Sequence, residues 1–414
     1  MKNSILYKIG FNTLIQFIGK AVSVLLGLAT VALLTRYLGL AGYGNFTLVF
    51  AYMSFFGVFA DFGLQLAIVR ELSQKNIEAE NIYGTYFWLK SVLIGASTLI
   101  AIFALLFFPY SQELKIGILI GALAVGIGGL SGYGTAIFQS RVRLDIVTYI
   151  DVLTKIITVI FIVFFVFSKM NFYYIISTVL IGNITGFIVT VFILKKFINF
   201  NFKYDKILAK KIIGWSVPIG LTSFFSLAYF KIDTIMLSVM RGPTEVGIYS
   251  LSYKILENIL MLWGLYMASV YPFFSKFLGN KDKKNFYKIF KNTITIALLF
   301  SIPIVLIGFI FSDYIINIFA GDKFNQSSVS FKILLLSLPI YFMTNTFYNA
   351  LLSLKKINFI IYSMVACLLL NFLLNLILIP KMGYVGASIN TVLTEGVMLI
   401  AYILFSIRKA VLRK

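Results

Sequence analysis

Residues 172–211 read FYYIISTVLIGNITGFIVTVFILKKFINFNFKYDKILAKK. The first part, 172–194, contains no charged side chain, and about 20 such apolar residues are what one membrane-spanning helix requires. The second part, 195–211, contains six of the chain's lysines: Lys195, Lys196, Lys203, Lys206, Lys210 and Lys211. An apolar span followed by a basic connector is typical of a helical membrane protein whose connector faces the cytoplasm.

The rest of the chain repeats this alternation of apolar and polar segments. Hydrophobic residues make up 60% of the sequence and charged residues 12%, whereas a soluble domain has about 25% charged residues. We therefore expect an all-α integral membrane protein with about twelve spanning helices. The predicted spans are 12–34, 45–68, 86–108, 114–138, 145–167, 172–194, 213–240, 246–275, 292–312, 330–353, 358–380 and 384–406.

The basic residues lie mainly in every second gap between these spans. Of the 36 lysines and arginines, 24 fall in those gaps: Lys2, Lys8, Arg70, Lys75, Arg141, Arg143, the six of 195–211, Lys276, Lys281, Lys283, Lys284, Lys288, Lys291, Lys355, Lys356, Arg408, Lys409, Arg413 and Lys414. The intervening gaps hold one each: Arg36, Lys115, Lys169, Arg241, Lys323 and Lys381. This asymmetry predicts that both termini are cytoplasmic and that the protein crosses the cell membrane many times.

Composition also excludes several classes of function. A net charge of +21 is explained by orientation and by contact with anionic lipid, and no basic module outside the spans points to nucleic acid. The sequence has one cysteine, Cys367, and no histidine, so we expect no disulfide, no cysteine- or histidine-bound metal and no cofactor. A bound coupling ion, Na⁺ or H⁺, stays open.

The chain divides into two lobes of six spans. We place the first lobe at 1–195, a cytoplasmic basic connector at 196–211 and the second lobe with its tail at 212–414. Turn glycines recur at an offset of 203 residues, since Gly39 and Gly44 follow the first span as Gly242 and Gly247 follow the seventh. Because six spans return the chain to the same side, this predicts a parallel repeat around a central cavity.

Polar side chains inside the spans are candidates for substrate binding, because burying them in hydrocarbon is costly. Gln16 and Lys20 lie on one helical stripe of the first span, and we expect Lys20 to face a wet cavity rather than the headgroups. Lys254 and Glu257, three residues apart on one face of the eighth span, either neutralise each other or bind substrate. Asn345 lies on a polar stripe of the tenth span.

Acidic groups are candidates for coupling or gating. Asp233 lies deep in the seventh span, where a carboxylate has to be paired, protonated or cation-bound; an ion pair with Lys20 and satisfaction by neighbouring hydroxyls are both open. Glu395 is isolated in the last span. Asp61 and Arg70 flank the cytoplasmic end of the second span, where a role in a gate and a role in the turn both fit them.

Several motifs resemble a known family. They are RYLG at 36–39, Gly44, DFGL at 61–64, RE at 70–71, KIDTIML at 231–237, GIY at 247–249 and GDKF at 321–324. Together with the number of spans, they resemble the polysaccharide-transporter branch of the multidrug/oligosaccharidyl-lipid/polysaccharide exporter superfamily, the O-antigen-type flippases. This resemblance implies a fold like that of the multidrug and toxin exporters. Twelve spans fit this branch better than the related lipid II flippases, which typically have fourteen.

The resemblance also implies a function without enzymatic chemistry. The expected activity is translocation of an undecaprenyl-pyrophosphate-linked oligosaccharide from the cytoplasmic to the outer leaflet by alternating access. We expect Lys20 to bind the pyrophosphate, with Arg36 at its outer end and Lys254 across the cavity. Expected partners are this substrate and membrane lipids, with the polysaccharide polymerase and chain-length machinery as further candidates.

Two other classes remain as alternatives. A cation-coupled multidrug antiporter would share the fold and use acidic cavity groups. A membrane glycan polymerase or ligase would need a sizeable outer loop, and the longest one predicted, about 313–329, is short.

The predicted topology can be tested by cysteine labelling. Single cysteines at Lys203 and Lys283, in a Cys367→Ser background, should resist a membrane-impermeant thiol reagent added outside sealed cells. A cysteine at Asn325 should react, because it lies in an outer turn. Labelling of the Lys203→Cys variant would contradict the assignment of basic connectors to the cytoplasm.

Overall fold

The computed structural model describes residues 2–73, 79–198, 203–280 and 282–408. Lys75, Lys281, Lys409, Arg413 and Lys414 of the predicted basic clusters lie outside these residues. Within them the secondary structure is helical. The helices are α1 (Lys2–Asp61), α2 (Leu64–Leu72), α3 (Ala79–Ala104), α4 (Gln112–Ser140), α5 (Leu144–Phe167), α6 (Phe172–Leu194), α7 (Lys206–Met240), α8 (Pro243–Gly279), α9 (Lys283–Ala320), α10 (Gln326–Leu335), α11 (Ser337–Ser353) and α12 (Ile357–Arg408).

Two of these helices are each broken by a glycine. α1 has 60 residues, and without a break it would be about 90 Å long, three times the thickness of the hydrocarbon layer. Gly39 interrupts it with φ 66° and ψ −171°, and Gly383 interrupts α12 with φ 56° and ψ −134°. Backbone with positive φ is accessible mainly to glycine. α12 therefore contains two of the predicted spans, and α1 contains the first and most of the second, which α2 completes.

The described residues contain nine helical stretches that are long and apolar enough to cross a membrane. α1 together with α2 accounts for two predicted spans, as does α12, and α8, with 37 residues, covers the eighth. The chain is therefore a multi-pass, all-α membrane protein, which confirms the predicted fold class.

The chain forms two compact units, the first comprising residues 1–38 and 48–227 and the second 39–47 and 228–414. This division lies inside α7, whereas the sequence predicts a boundary at the connector 196–211. The first part of α7 packs within the first unit because Lys211 Nζ lies 2.7 Å from Glu71 Oε2. In addition, Gly220 of α7 lies directly against Phe62.

Small residues bring the helices of the first unit together. A Cβ atom on Gly117 would lie 2.8 Å from Ile176 Cδ1, and Gly134 in the same helix packs against Thr190. α4 and α6 can thus approach closely, as small residues at helix interfaces allow in membranes. Gly117 and Gly134 therefore form a packing surface of α4 against α6.

In the second unit the two repeated glycine turns contact each other. Gly39 has φ 66° and Gly242 φ 88°, with ψ −171° and −179°. Gly44 lies against the backbone of Pro243 and Gly247, and Gly247 lies reciprocally against Leu40 and Gly44. The repeat in sequence therefore extends to backbone conformation and to a reciprocal contact between matched positions.

One loop is shorter than predicted. The sequence predicts the longest outer connector at about 313–329, but α9 continues to Ala320 and α10 begins at Gln326. Gly321 ends α9 with φ 74°, and the Asn317 amide donates to the Asp322 side chain just beyond. The polar residues that the sequence predicts as a loop therefore extend α9 and form the cap at its end.

Candidate functional site

The first unit contains a polar cavity of about 460 Å³ between α1, α4, α5 and α6. Gln16 and Lys20 of α1 both line it, as their common stripe predicts. The other polar residues in its wall are Ser131, Thr135, Thr148, Asp151, Thr154, Asn183 and Thr190. Four glycines and two apolar side chains complete the wall: Gly19, Gly128, Gly132, Gly186, Val147 and Ile150.

The charge of this cavity is dominated by Lys20. Lys20 is exposed and forms no ion pair with another described residue. The one carboxylate in the wall, Asp151, is neutralised by Lys155 at 3.1 Å and accepts a hydrogen bond of 2.9 Å from Ser23. The cavity therefore has a net positive charge and polar walls, which favours an anionic ligand with hydrogen-bonding groups.

Arg36 does not reach this cavity. It lies on α1, sixteen residues beyond Lys20 along helix that is continuous between them, which corresponds to about 24 Å. One pyrophosphate group cannot contact both side chains, so the expectation that Lys20 and Arg36 hold it together is wrong.

Asp61 has a partner that sequence reasoning missed. Lys90 of α3 lies 2.5 Å from Asp61 Oδ1 and is 4% exposed. Gln65 continues this polar cluster through a 3.0 Å hydrogen bond to Gln139. Lys90 stands among apolar and aromatic residues in the third span, and only the packing of α3 beside the end of α1 brings the two charges together.

Arg70 and Glu71 contact the first turns of α7. The Arg70 guanidinium lies 3.6 Å from the centre of the Trp215 ring, a cation–π contact. Glu71 is fully buried and pairs with Lys211 at 2.7 Å. Arg70 is therefore placed where α2 meets α7, rather than beside Asp61.

Asp233 lies at the centre of a buried polar cluster in the second unit. It is 2% exposed, and its carboxylate accepts hydrogen bonds from Tyr249 at 3.0 Å, Thr391 at 3.0 Å and Asn375 at 2.5 Å. Asn375 also donates to Asn371 Oδ1 at 2.9 Å. Within the described part of the second unit, Asp233 has no basic partner, and its carboxylate is satisfied by hydroxyl and amide donors.

Glu257 forms ion pairs with two lysines. Its carboxylate lies 2.8 Å from Lys254 and 3.6 Å from Lys231. The sequence predicts the first of these contacts from the spacing of three residues, and Lys231 adds a second cation. Two cations around one carboxylate leave this cluster with a net positive charge.

Glu395 and Asn345 have different surroundings. Glu395 is 5% exposed, and its Oε2 has no hydrogen-bond partner among the described residues. The Asn345 carbonyl and amide oxygens accept from the Asn349 amide at 2.8 and 3.3 Å. Glu395 is thus a buried acid with a free oxygen, whereas Asn345 belongs to a helical polar stripe.

Comparison with protein-family models places the sequence among polysaccharide biosynthesis proteins. The model described as "Polysaccharide biosynthesis protein" matches residues 9–278, and the MatE model matches residues 218–377. The chain is also 26% identical over 163 residues to the probable low-salt glycan biosynthesis flippase Agl15 of Haloferax volcanii. That match covers 39% of this chain and 34%, about a third, of the relative.

Several solved structures share the fold. The inward closed conformation of the lipid II flippase MurJ has a TM-score of 0.80 and 20% identity, covering 95% of this chain and 87% of that one. An inward-facing MATE family multidrug resistance transporter has a TM-score of 0.75 and 15% identity, covering 94% and 95%. A MOP superfamily transporter from Pyrococcus furiosus, described as having a binding pocket of reverse polarity, has a TM-score of 0.69 and 16% identity, covering 98% and 96%. These likenesses confirm the expected fold.

Loss of either partner of the Asp61–Lys90 pair should have unequal effects on stability. Asp61→Ala leaves a buried ammonium without an anion and should cost about 3–5 kcal/mol. Lys90→Met should cost less, because the Asp61 side chain is 36% exposed and can be solvated. Thermal unfolding of the purified protein in detergent measures the stability of both variants. The control is Asp145→Ala, which removes one partner of the exposed Arg143–Asp145 pair; such a pair contributes about 0–1 kcal/mol. An equal loss in all three variants would contradict a buried pair.

Proposed function

This chain belongs to the polysaccharide biosynthesis protein family, and on that premise we propose that it is a flippase for an undecaprenyl-pyrophosphate-linked oligosaccharide. The substrate moves from the cytoplasmic to the outer leaflet of the cell membrane by alternating access, with both termini of the protein in the cytoplasm. The product serves synthesis of a surface polysaccharide such as an O-antigen, and the polymerase and chain-length machinery are its proposed partners.

The observation that supports this function most is the charge of the cavity in the first unit. Lys20 supplies a cation that no described carboxylate neutralises, because Asp151 is already paired with Lys155. A pyrophosphate is an anion that accepts several charge-assisted hydrogen bonds. Gln16, Asn183 and the hydroxyls of the wall provide donors and acceptors for sugar hydroxyls.

The same charge argues against the multidrug antiporter. A cationic drug needs an available anion, and Asp151, the only acidic group among the described residues of the wall, is already paired with Lys155. The buried carboxylates of the second unit, Asp233 and Glu395, are 2% and 5% exposed, which makes them poor contacts for a bulky cation. Glycan polymerisation is also disfavoured, since the outer connector between α9 and α10 has only residues 321–325.

We assign ion coupling to the cluster around Asp233. Its carboxylate and the oxygens of Asn371, Asn375 and Thr391 are hard ligands of the kind that bind Na⁺, and the carboxylate is also a candidate proton carrier. The Oδ1 atom of Asn375 has no hydrogen-bond partner among the described residues, so rotation of this amide would turn an oxygen toward Asp233 and change a donor into a ligand. Binding of either ion would replace hydrogen bonds that link α7, α8 and α12.

Substitution of Lys20 tests the proposed substrate contact. Lys20→Ala should lower the flipping rate by about tenfold or more, because a hydrogen bond to a charged group contributes about 1.5–3 kcal/mol. Lys20→Arg should retain most of the rate, since the requirement is positive charge. The assay is translocation of fluorescent lipid-linked oligosaccharide in proteoliposomes at matched protein content, with Lys332→Ala as the control. Equal rates for the alanine and arginine variants would contradict this role.

Substitution of Asp233 tests coupling. Asp233→Asn keeps the size of the side chain and removes its charge, so flipping should lose its dependence on the ion gradient. Proteoliposomes with an imposed Na⁺ or H⁺ gradient distinguish the two ions in the wild type. Transport by the Asn variant that still follows the gradient would refute the assignment, and export of cationic dyes by the wild type would favour the antiporter.

A further inference from the structure

Two contacts form a narrow seam between α1 and α5 in the first unit. A Cβ atom on Gly19 would overlap Thr148 Cγ2, so the missing side chain lets the two helices touch. One turn further along both helices, Ser23 Oγ donates a 2.9 Å hydrogen bond to Asp151 Oδ2.

The seam has surfaces of opposite character on its two sides. One side is the polar cavity that contains Lys20. The other side is a groove of about 510 Å³ with a mainly apolar wall, lined by Ile15, Ile18, Val22, Tyr149 and Val152 among others. Gly19 and Thr148 belong to the walls of both spaces, so the seam alone separates them.

Helical geometry explains this arrangement. Ile15, Ile18 and Val22 recur at spacings of three and four and form one stripe of α1, whereas Gln16 and Lys20 follow by one or two residues on a neighbouring stripe. The groove is lined by residues 15–22 of α1 near the start of the first predicted span, by the start of α5 and by Ile193 at the end of α6. These are the ends that the distribution of basic residues predicts to be cytoplasmic.

We propose that the α1–α5 seam is a lateral gate, and that the groove outside it holds the polyprenyl tail while the pyrophosphate head occupies the Lys20 cavity. This inference rests on the proposed function and names the position of each part of the substrate. An amphiphile needs a charged polar site and an apolar surface at a distance set by its own covalent bonds. The two spaces that share Gly19 and Thr148 provide both, so the tail never has to enter the polar cavity.

The contacts of the seam can break without leaving a charged side chain unpaired. Asp151 keeps Lys155 as a partner at 3.1 Å when Ser23 moves away, and Gly19 has no side chain to withdraw. The groove lies in the half of the first unit predicted to face the cytoplasmic leaflet, which is where the substrate is loaded.

Photocrosslinking tests where the tail lies. The photoreactive residue p-benzoylphenylalanine is placed at Ile18 in the groove, which is 53% exposed, or at Trp88 in α3, which is 45% exposed and also lies toward the predicted cytoplasmic side. The purified full-length protein in nanodiscs is irradiated with radiolabelled undecaprenyl pyrophosphate. We expect at least fivefold stronger labelling at Ile18 than at Trp88. Excess inorganic pyrophosphate should suppress it, as should Lys20→Ala.

Two results would overturn the proposal. Equal labelling at Ile18 and Trp88 would mean that the groove holds bulk lipid only. Labelling at Ile18 that is insensitive to pyrophosphate and to Lys20→Ala would mean that a tail lies there without its head in the cavity. Monodisperse elution on size exclusion shows that each variant is folded. Labelling at a second groove position, Val22, shows that the result does not depend on Ile18 alone.

The outcome is separable from that of the flipping assay. Specific labelling without flipping would support the binding site and contradict the proposed activity. Flipping without specific labelling would support the activity and place the tail elsewhere.

Discussion

Hydrocarbon offers no hydrogen-bond partners, and every polar group of this chain that enters the membrane has to find one inside the protein or in a water-filled space. Hydrogen bonds within the helices satisfy the backbone N–H and C=O groups. The regions of the protein therefore differ in how their polar side chains find partners. Asp233 is enclosed by three donors, and Glu71 is buried against Lys211. Lys20, in contrast, faces an open cavity without an ion-pair partner among the described residues, which is why it is the residue assigned to an anionic ligand.

Glycine gives this fold its close approaches and its breaks. At Gly39 and Gly383 a positive φ divides helices that would otherwise be far longer than the membrane is thick. At Gly19 and Gly44 the absence of Cβ allows helices or turns to touch. The first group determines the path of the chain, and the second determines which surfaces meet, including the seam beside the Lys20 cavity.

The two units provide different chemistry. The first contains a cationic, hydroxyl- and amide-rich cavity beside an apolar groove, which suits the head and tail of an amphiphile. The second contains a buried carboxylate surrounded by oxygen ligands, which suits a proton or a small cation. In the proposed mechanism, substrate recognition and ion coupling therefore belong to different units.

The sequence alone determined the class of protein, since the length and charge of apolar runs follow directly from the thickness and the polarity of the membrane. It also predicted the positions of the spans, the stripe of Gln16 and Lys20 and the pair Lys254–Glu257, because these depend on helical periodicity within one segment. It did not reveal that Lys90 pairs with Asp61, that Asn375 and Thr391 surround Asp233, or that Gly19 contacts Thr148. Those contacts join residues between 29 and 158 positions apart, and only the packing of helices against one another decides which distant side chains meet. Periodicity predicts the face on which a residue lies, whereas tertiary structure decides what that face contacts.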